Sequence, residues 1–498
     1  MRIDPIPPAC IPPTQKFLSD TPLPATFGEY PWALRHNEYQ DAAIFFGTRP
    51  GSCLQRFVGK APGKDGHVLV VGGAGSGKSS CIAIPTLRNW PGTFVAIDVK
   101  GDLLQNAASF AEAKHPLKVF SFSKNHPPDR QFARFDPFYL LREDIEDNLV
   151  QNAREIAQAI IPVPPNVHDP FWPQSAQNVL TAVLLYTYGL CAVDDSTGET
   201  LRGTFNDAME YIQSKSIGEI VKDICESGNT AAIKHIRQFN NIKFSEDDKI
   251  LAGIAAELSS KVMTFATDNR IQAAFTSDGD TMKWEDLETH NIILRIPEDK
   301  LDQWSGALTL ILTQLIRTLE RRPDKFSGGK PLPPVLLLLD EFPRLGKLDV
   351  IQSAVSTLRS KGVTICLIVQ SISQLDYVYG QEVRQILLDN CAYKALLSVS
   401  DSASQQMFSA MIGSFEAPKR SFGASLSGGL HGKFPFISIS PSISTSVSSQ
   451  REPAIHPHEL ATLKDIVLLH PEGFCRVEKV PYYQIPFTVP APKLNYFL

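Results

Sequence analysis

Short apolar runs alternate with longer amphipathic segments along most of the chain, and this alternation predicts an α/β fold. The runs predicted to be buried strands are residues 67–71, 93–98, 117–122, 291–296, 335–339, 364–370 and 465–469. Continuous apolar runs rich in Val, Ile and Leu are typical of parallel strands covered on both faces. We therefore expect a mainly parallel sheet assembled from two separate stretches of the chain.

The sequence between those two stretches has a different pattern of apolar and polar residues. Strand signals are scarce there, and the amphipathic segments are residues 145–160, 175–190, 205–214, 216–226, 230–239 and 247–266. The spacing of their apolar positions predicts helices. The predicted organisation is an irregular amino-terminal arm (1–45), a discontinuous α/β domain (46–140 and 289–498) and an all-helical insertion domain (141–288).

One late segment, residues 421–450, is rich in serine and glycine and carries little charge. Apolar and polar residues alternate at Phe436-Ile437-Ser438-Ile439-Ser440. This alternation indicates a hairpin arm, with a mobile loop as the alternative.

The stretch His67 to Ser80 reads HVLVVGGAGSGKSS and contains a full match to G-x-x-x-x-G-K-S/T. A strand before the motif and a helix start after it are the context that a phosphate-binding loop requires, although Pro85 must kink or end that helix. Backbone N–H groups of such a loop surround phosphates, the lysine reaches the β- and γ-phosphates, and the hydroxyl after it ligates Mg²⁺. The predicted nucleotide-binding residues are Gly72, Gly73, Ala74, Gly75, Ser76, Gly77, Lys78, Ser79 and Ser80, with Ser79 also a Mg²⁺ ligand. A chance glycine turn is the weaker alternative.

A second motif is the apolar run 335–339, which ends in Asp340 and Glu341. Ligands bind at the carboxyl ends of strands in open α/β sheets, so these carboxylates would face the phosphates. We predict that Asp340 holds Mg²⁺ and that Glu341 acts as general base on the attacking water. A core strand with a solvated acidic end is the alternative.

Two further residues complete the predicted triphosphate-hydrolysing site. Gln370 ends the next strand and is predicted to sense the attacking water. The alternative is that it caps the following helix. Arg359 lies too far along the chain to reach its own site easily, so it is predicted to act as an arginine finger in a neighbouring subunit of a ring, or else to be an exposed helix-end residue. Asp98 and Lys100 follow another strand and either contact the site or cap the next helix.

The 498 residues carry a net charge of −5, which argues against an extensively basic surface but leaves room for a local basic channel. Eight scattered cysteines without a C-x-x-C pair indicate free thiols in a reducing compartment and no zinc site. No secretory signal and no apolar stretch of membrane-spanning length is visible, so a soluble chain is expected.

These motifs together resemble the coupling ATPases of type IV secretion and bacterial conjugation, the TraG/TraD group. The matching stretches include HVLVVGGAGSGKSS, LLLLDEFPRLGKL, LRSKGVTICLIVQSISQL and ILLDNCAYKALLSV, within a similarity that spans roughly residues 40–485. The resemblance implies a RecA-like P-loop NTPase domain with an all-helical domain, which binds ATP and Mg²⁺. By motif position, Lys78 and Ser79 match the family's nucleotide site, Asp340 and Glu341 its acidic pair, Arg359 its trans-acting arginine and Gln370 its glutamine next to the site.

The resemblance also implies partners and a location. Members are thought to form hexamers at the cytoplasmic face of the inner membrane and to pass single-stranded DNA with its relaxase, or effector proteins, to the secretion channel. Family members usually begin with membrane-spanning helices, and this chain shows none, so we expect either a soluble variant that docks on a separate membrane partner or a shortened form of a longer protein.

Two functions of different classes follow. In the first, the protein is an ATP-driven DNA translocase, with Lys347 and Lys361 as candidate phosphate contacts or simply solvated lysines. In the second, it is a nucleotide-gated receptor whose helical insertion recruits cargo. A small-molecule kinase is a third and much less favoured function, because nothing in the sequence indicates a substrate lid.

Overall fold

The computed structural model describes residues 34–50, 56–62, 64–123, 131–143, 145–163, 169–193, 200–239, 249–324, 332–431 and 436–485. The strands are β1 Arg35–His36, β2 Ile44–Thr48, β3 Phe57–Lys60, β4 Val68–Gly72, β5 Thr93–Asp98, β6 Leu117–Ser121, β7 Cys191–Val193, β8 Thr200–Arg202, β9 Asn291–Arg295, β10 Val335–Leu339, β11 Val363–Val369, β12 Tyr393–Ser398, β13 Ser414–His431, β14 Phe436–Pro453, β15 Ile466–His470 and β16 Gly473–Val477. The helices are α1 Ile84–Asn89, α2 Asp102–Glu112, α3 Tyr139–Glu143, α4 Ile145–Ile160, α5 Phe171–Gly189, α6 Phe205–Ser214, α7 Ile217–Glu226, α8 Thr230–Ile236, α9 Lys249–Thr267, α10 Asn269–Ala274, α11 Asp286–Thr289, α12 Leu301–Glu320, α13 Ile351–Thr357, α14 Ile372–Asn390, α15 Ser402–Ile412 and α16 Pro457–Ala461.

A nine-stranded sheet in the order β16-β15-β12-β4-β11-β10-β5-β9-β6 forms the centre of the fold. The strands from β12 to β6 are parallel, and β15 pairs antiparallel with both β12 and β16, so β15 alone is reversed in this sheet. Alternate residues of β10 enter different cores, Leu337 and Leu339 on one face and Leu336 and Leu338 on the other. Burial on both faces explains the uninterrupted apolar run, and the predicted mainly parallel α/β sheet is confirmed.

Helices α3 to α11 occupy the chain between β6 and β9. Helix α5 lies among them and packs on α4, α6, α8 and α9. A two-stranded hairpin of β7 and β8 follows α5, so this insertion is not entirely helical as predicted. Each of these strands has three residues, which is too short for a periodic signal.

Among the described helices, α9 alone is long and apolar enough to be considered for a membrane crossing. Its buried residues Leu251, Ile254, Leu258, Val262 and Phe265 recur at helical spacing. This stripe packs in the large hydrophobic core.

The strands β13 and β14 stay in antiparallel register from Ser414↔Pro453 to His431↔Phe436. They form a two-stranded sheet separate from the nine-stranded one, so the predicted hairpin arm is confirmed.

The first described residues form an antiparallel sheet in the order β1-β3-β2. This finding corrects the predicted irregular arm over residues 1–45 for its described part; residues 1–33 lie outside the described residues. Tyr39, Phe45 and Phe57 pack edge to face in a small core of their own. The partner strand β3 lies beyond the predicted arm, and such non-local pairing leaves no periodic pattern within the arm itself.

His67 joins three elements at the amino-terminal edge of the large sheet. Its Nδ1 accepts a hydrogen bond from the backbone N–H of Ile365 at 3.0 Å, and its Nε2 lies 3.0 Å from the carbonyl oxygen of Val355, to which it donates as a neutral imidazole. Burial and, to a smaller extent, the charges of Lys60 and Arg359 together lower the pKa of His67 to about 4, against the opposing hydrogen bond to Val355. The neutral ring therefore holds β4 against β11 and α13.

This depressed pKa predicts acid sensitivity. The unfolded chain protonates His67 near its ordinary pKa, so the stabilisation is complete above about pH 6.5 and is lost as the pH falls towards 4. We expect His67→Gln to show a weaker fall of unfolding free energy across that range, measured by urea unfolding at a series of pH values. Burial also lowers the pKa of His470, to about 4, and that of His235, so both histidines contribute to the remaining dependence.

His458→Gln is the matched control, because His458 is exposed. It should retain the full pH dependence. An unchanged dependence in His67→Gln would contradict the assignment.

Candidate active site

Four neighbouring strands end at one edge of the sheet, and each is followed by residues singled out in the sequence. The phosphate-loop motif follows β4, Gln370 follows β11, Asp340 and Glu341 follow β10, and Lys100 follows β5. These strands are adjacent and parallel in the order β4-β11-β10-β5. Since neighbouring strands lie about 4.8 Å apart, β4 and β10 are separated by about 10 Å.

The phosphate loop adopts backbone angles that favour glycine. Gly75 has a φ of +71° and Gly77 a φ of +99°. A Cβ added at Gly75 would meet no atom within 4 Å, apart from those of its two neighbours in the chain. Glycine is therefore required there by the backbone conformation and not by crowding. Ser79 opens a π-helical turn, Ser79–Ala83, that continues into α1. Pro85 lies in the first turn of α1, where a proline is tolerated, so it does not end the helix. The predicted kink is found instead as the wide π-helical turn that precedes α1.

Lys78 folds back over its own loop. Its Nζ donates to the carbonyl oxygens of Gly72 at 2.6 Å and Gly73 at 3.1 Å. Burial lowers the pKa of Lys78, while the charges of Glu341 and Asp340 oppose this change. The predicted lysine and the acidic pair therefore share one electrostatic environment.

Glu341 is held from two sides. Lys100 Nζ lies 3.3 Å from its Oε1, and Gln370 Nε2 donates to its Oε2 at 2.8 Å. Glu341 is buried and, among the described residues other than glycine, it alone has a positive φ, +50°. This backbone conformation costs on the order of 1 kcal/mol, so it requires support from the surrounding contacts.

The sequence left open whether Lys100 contacts the site or caps the next helix. Partial burial lowers its pKa, but the charge and hydrogen bond of Glu341 outweigh this and raise it overall. The nearby Asp98 does not share this role. Its carboxylate accepts from the N–H groups of Gly101 at 2.7 Å and Leu104 at 2.8 Å and therefore caps α2.

The site contains two buried oxygens without a hydrogen-bond partner in the described structure, Ser76 Oγ and Asp340 Oδ2. Burial and the neighbouring charge of Glu341 raise the pKa of Asp340 to about 7. Such orphaned oxygens are costly unless a ligand satisfies them. Carboxylate and hydroxyl oxygens from Asp340 and Ser79 are hard donors of the type that Mg²⁺ prefers, so these residues fit a Mg²⁺–nucleotide.

The segment after Glu341 is coupled to α14. Phe342 stacks on Tyr379, with ring centroids 5.1 Å apart and planes 12° apart. The Tyr379 hydroxyl donates to the carbonyl oxygen of Gly346 at 3.2 Å and accepts from the N–H of Leu348 at 3.3 Å. The next residue, Gly380, has a φ of +79° and breaks the helix.

Arg359 lies apart from these residues. It follows α13 and precedes β11, and its charge acts on His67 at the amino-terminal edge of the sheet. Because β11 has seven residues, Arg359 is separated from Gln370 by about 20 Å. Arg359 is exposed and cannot act in its own subunit's site.

The two predicted DNA-contacting lysines form ion pairs. Lys347 Nζ lies 3.1 Å from Asp349 Oδ1, and Lys361 Nζ lies 3.0 Å from Asp324 Oδ1. Lys361 is also at the amino-terminal edge, close in sequence to Arg359.

Comparison with known proteins links this chain to a family. Residues 35–495 match the family model described as type IV secretory system conjugative DNA transfer. The VirD4 protein of Rhizobium rhizogenes is 25% identical over 84% of this chain and 59% of its own length. A conjugal transfer protein TraG of Escherichia coli is 25% identical over 65% of this chain and 51% of its own length. The chain thus spans about three fifths or less of the length of these relatives.

Solved structures share the fold. The bacterial conjugative coupling protein TrwBΔN70 superposes with a TM-score of 0.60 at 18% identity, over 83% of this chain and 84% of that one. TrwB in complex with the ATP analogue ADPNP gives a TM-score of 0.59 at 18% identity, over 86% and 87% of the two chains. TrwB with ADP and Mg²⁺ gives 0.58 at 17% identity, over 85% and 87%.

Proposed function

Because the chain belongs to the type IV secretory system conjugative DNA transfer family, we propose that it is an ATP-hydrolysing coupling protein. Its cargo is DNA, single-stranded and bound to its relaxase, or an effector protein, which it delivers to a type IV secretion channel at the inner membrane. The observation that carries this proposal is the convergence of Lys78, Asp340, Glu341 and Gln370 at one edge of the sheet.

The loop from Gly72 to Ser80 binds the phosphates through its backbone N–H groups, as supported by its glycine conformations and by the nucleotides bound to TrwB. Lys78 already lies at the loop, and on nucleotide binding it exchanges the carbonyl oxygens of Gly72 and Gly73 for phosphate oxygens. Asp340 and Ser79 would hold Mg²⁺, which when bound would offset phosphate charge. Negative phosphate charge also compensates the positive charge of Lys78 and Lys100.

Glu341 accepts the proton of the attacking water. Its carboxylate is buried and oriented by Lys100 and Gln370, so it is a preorganised general base. Gln370 Nε2 connects the base to the end of β11, the strand beside the phosphate loop. Gln370 is therefore well placed to respond to the presence of a third phosphate.

We expect Glu341→Gln to bind ATP normally but to hydrolyse it about 10²–10⁴-fold more slowly, because the base is lost. Lys78→Ala should lose tight nucleotide binding as well. Both are measured by phosphate release and by equilibrium binding of a fluorescent ATP analogue, with and without single-stranded DNA. DNA should stimulate the wild-type rate.

An ATPase rate that ignores DNA in the assembled protein would contradict the translocase. Cargo transfer in cells by Glu341→Gln at the wild-type level would instead favour the nucleotide-gated receptor.

We expect Lys100→Met to lower kcat by about tenfold to a hundredfold with little change in KM for ATP, because the orientation of Glu341 is lost while the phosphate loop is intact. Lys100→Arg should restore part of the rate, since it retains the charge beside Glu341. Lys222→Met, which changes an exposed lysine on α7, is the matched control. A lower affinity for ATP with unchanged kcat would show that Lys100 contacts nucleotide and does not position the base.

Arg359 is proposed to act in a neighbouring subunit of a ring, such as a hexamer, where arginine fingers contribute about 10³–10⁵ in rate. Arg359→Ala alone should be nearly inactive, but mixing it with Lys78→Ala should restore activity. In the mixture, a Lys78→Ala subunit supplies its arginine to an intact nucleotide site.

The control replaces the second component with the double variant Lys78→Ala/Arg359→Ala, which has no arginine to supply. Full activity of Arg359→Ala by itself would contradict the finger.

A further inference from the structure

Residues 358–362, the arginine turn, lie between α13 and β11 and carry Arg359. The N–H of Val363 donates to the carbonyl oxygen of Leu358 at 3.1 Å. The N–H of Gly362, which has a φ of +72°, donates to the carbonyl oxygen of Arg359 at 3.3 Å. This pair of hydrogen bonds is a Schellman motif, which ends a helix with a defined backbone. The motif fixes the shape of the turn, but the position of the turn on the sheet requires contacts from other elements.

Arg322 connects the arginine turn to two other parts of the chain. It lies just after α12, and its side chain is 6% exposed. Its Nη1 donates to the carbonyl oxygen of Lys361 at 2.6 Å, and its Nη2 donates to that of Pro333, shortly before β10, at 3.0 Å. Its Nε and Nη2 donate to the two carboxylate oxygens of Glu288 at 2.5 and 2.8 Å. One buried guanidinium therefore joins α11, the start of β10 and the arginine turn.

Two carboxylates near Arg322 hold the same region. Glu320 Oε1 accepts hydrogen bonds from two hydroxyl groups of α13, each at 3.1 Å. Asp324 Oδ1 accepts from the hydroxyl of Ser360 at 3.0 Å and lies 3.0 Å from Lys361 Nζ. Glu320, Arg322 and Asp324 form the α12 bracket, which holds the helix before the turn as well as the backbone and side chains of the turn itself.

The bracket pairs the side chains next to Arg359 and leaves Arg359 itself exposed. Ser360 and Lys361 both contact Asp324, whereas the guanidinium of Arg359 has no hydrogen bond or ion pair with the residues that the structure describes. A long exposed side chain has many rotamers, so its reach is defined only when its backbone is fixed. An unpaired guanidinium on a fixed turn is suited to the phosphate oxygens of another molecule.

We propose that Arg322 is a positioning residue that acts between subunits. It fixes the arginine turn so that Arg359 of one subunit reaches the phosphates bound by its neighbour. This inference rests on the proposed role of Arg359 as an arginine finger. Arg322 does not contact nucleotide itself, because it is buried beside residues that precede β10 and β11, at the edge of the sheet opposite the phosphate loop.

The chemistry of the bracket explains why the residue is an arginine. Its planar fork makes four hydrogen bonds to three separate segments of the chain. A lysine ammonium is a single point of charge and cannot reproduce this geometry, so Arg322→Lys keeps the charge and loses the bracing. A purely structural role would affect every subunit alike, whereas a positioning role affects the subunit that supplies Arg359.

The test uses the mixing assay, in which Arg359→Ala has the intact nucleotide site and Lys78→Ala supplies the arginine. Adding Arg322→Lys to the Lys78→Ala subunit should lower the recovered kcat by about tenfold to a hundredfold, because misplacing a catalytic group by ~1 Å has an effect of that size. The KM for ATP should not change. Adding Arg322→Lys to the Arg359→Ala subunit should leave the recovered kcat unchanged.

Asp324→Asn keeps the test decisive if Arg322→Lys fails to fold, because Asp324 is 64% exposed. It should give a smaller loss, again only from the subunit that supplies the arginine. Asp278→Asn, which changes an exposed aspartate elsewhere, is the matched control and should have no effect in either subunit. Hydrogen exchange measured by mass spectrometry should show faster exchange of the amides of residues 358–363 in both bracket variants and not in the control.

The outcomes separate this inference from the proposed finger. Full recovery with the Lys78→Ala/Arg322→Lys subunit would overturn the inference alone. An equal loss from both subunits, or a loss only from the subunit with the intact site, would also overturn it, since Arg322 would then act within its own subunit. No recovery in the parental mixture of Arg359→Ala and Lys78→Ala would overturn the finger and this inference with it.

Discussion

In β4, β11, β10 and β5 the chain runs in one direction, so segments separated by more than two hundred residues leave the sheet at the same edge. Parallel pairing thereby places a lysine, an acidic pair and a glutamine side by side without any direct sequence link. A slip of one residue in any of these strands would exchange its two faces and remove its side chain from the site. Packing of both faces of the sheet in separate cores makes such a slip costly.

Hydrogen bonds and ion pairs within the site compensate most of its buried charges. Lys78, Asp340 and Glu341 are all buried, and buried charges are costly unless they are paired and hydrogen-bonded. The carbonyl oxygens of the loop satisfy Lys78, and Lys100 with Gln370 satisfies Glu341. The carboxylate of Asp340 is not satisfied in this way, because its Oδ2 has no hydrogen-bond partner in the described structure and its pKa is raised. A bound cation would stabilise its charged form.

The sequence predicted the phosphate loop, the acidic pair and Gln370 because their spacing and strand context are local properties. It also predicted the large sheet, since burial on both faces produces apolar runs. It did not assign Lys100, whose role depends on a contact with Glu341 across 241 positions. It missed the sheet of β1, β2 and β3 and the left-handed backbone of Glu341, because non-local pairing and tertiary contacts impose both.

The stacking of Phe342 on Tyr379 has a mechanical consequence. Phe342 follows Glu341 directly, so the stack links the position of Glu341 to the first half of α14. The break at Gly380 separates this half of the helix from residues 381–390, which lead along the chain to β12. The stack therefore couples the backbone at Glu341 to residues 372–379, which carry Tyr377, 92% exposed, on their surface.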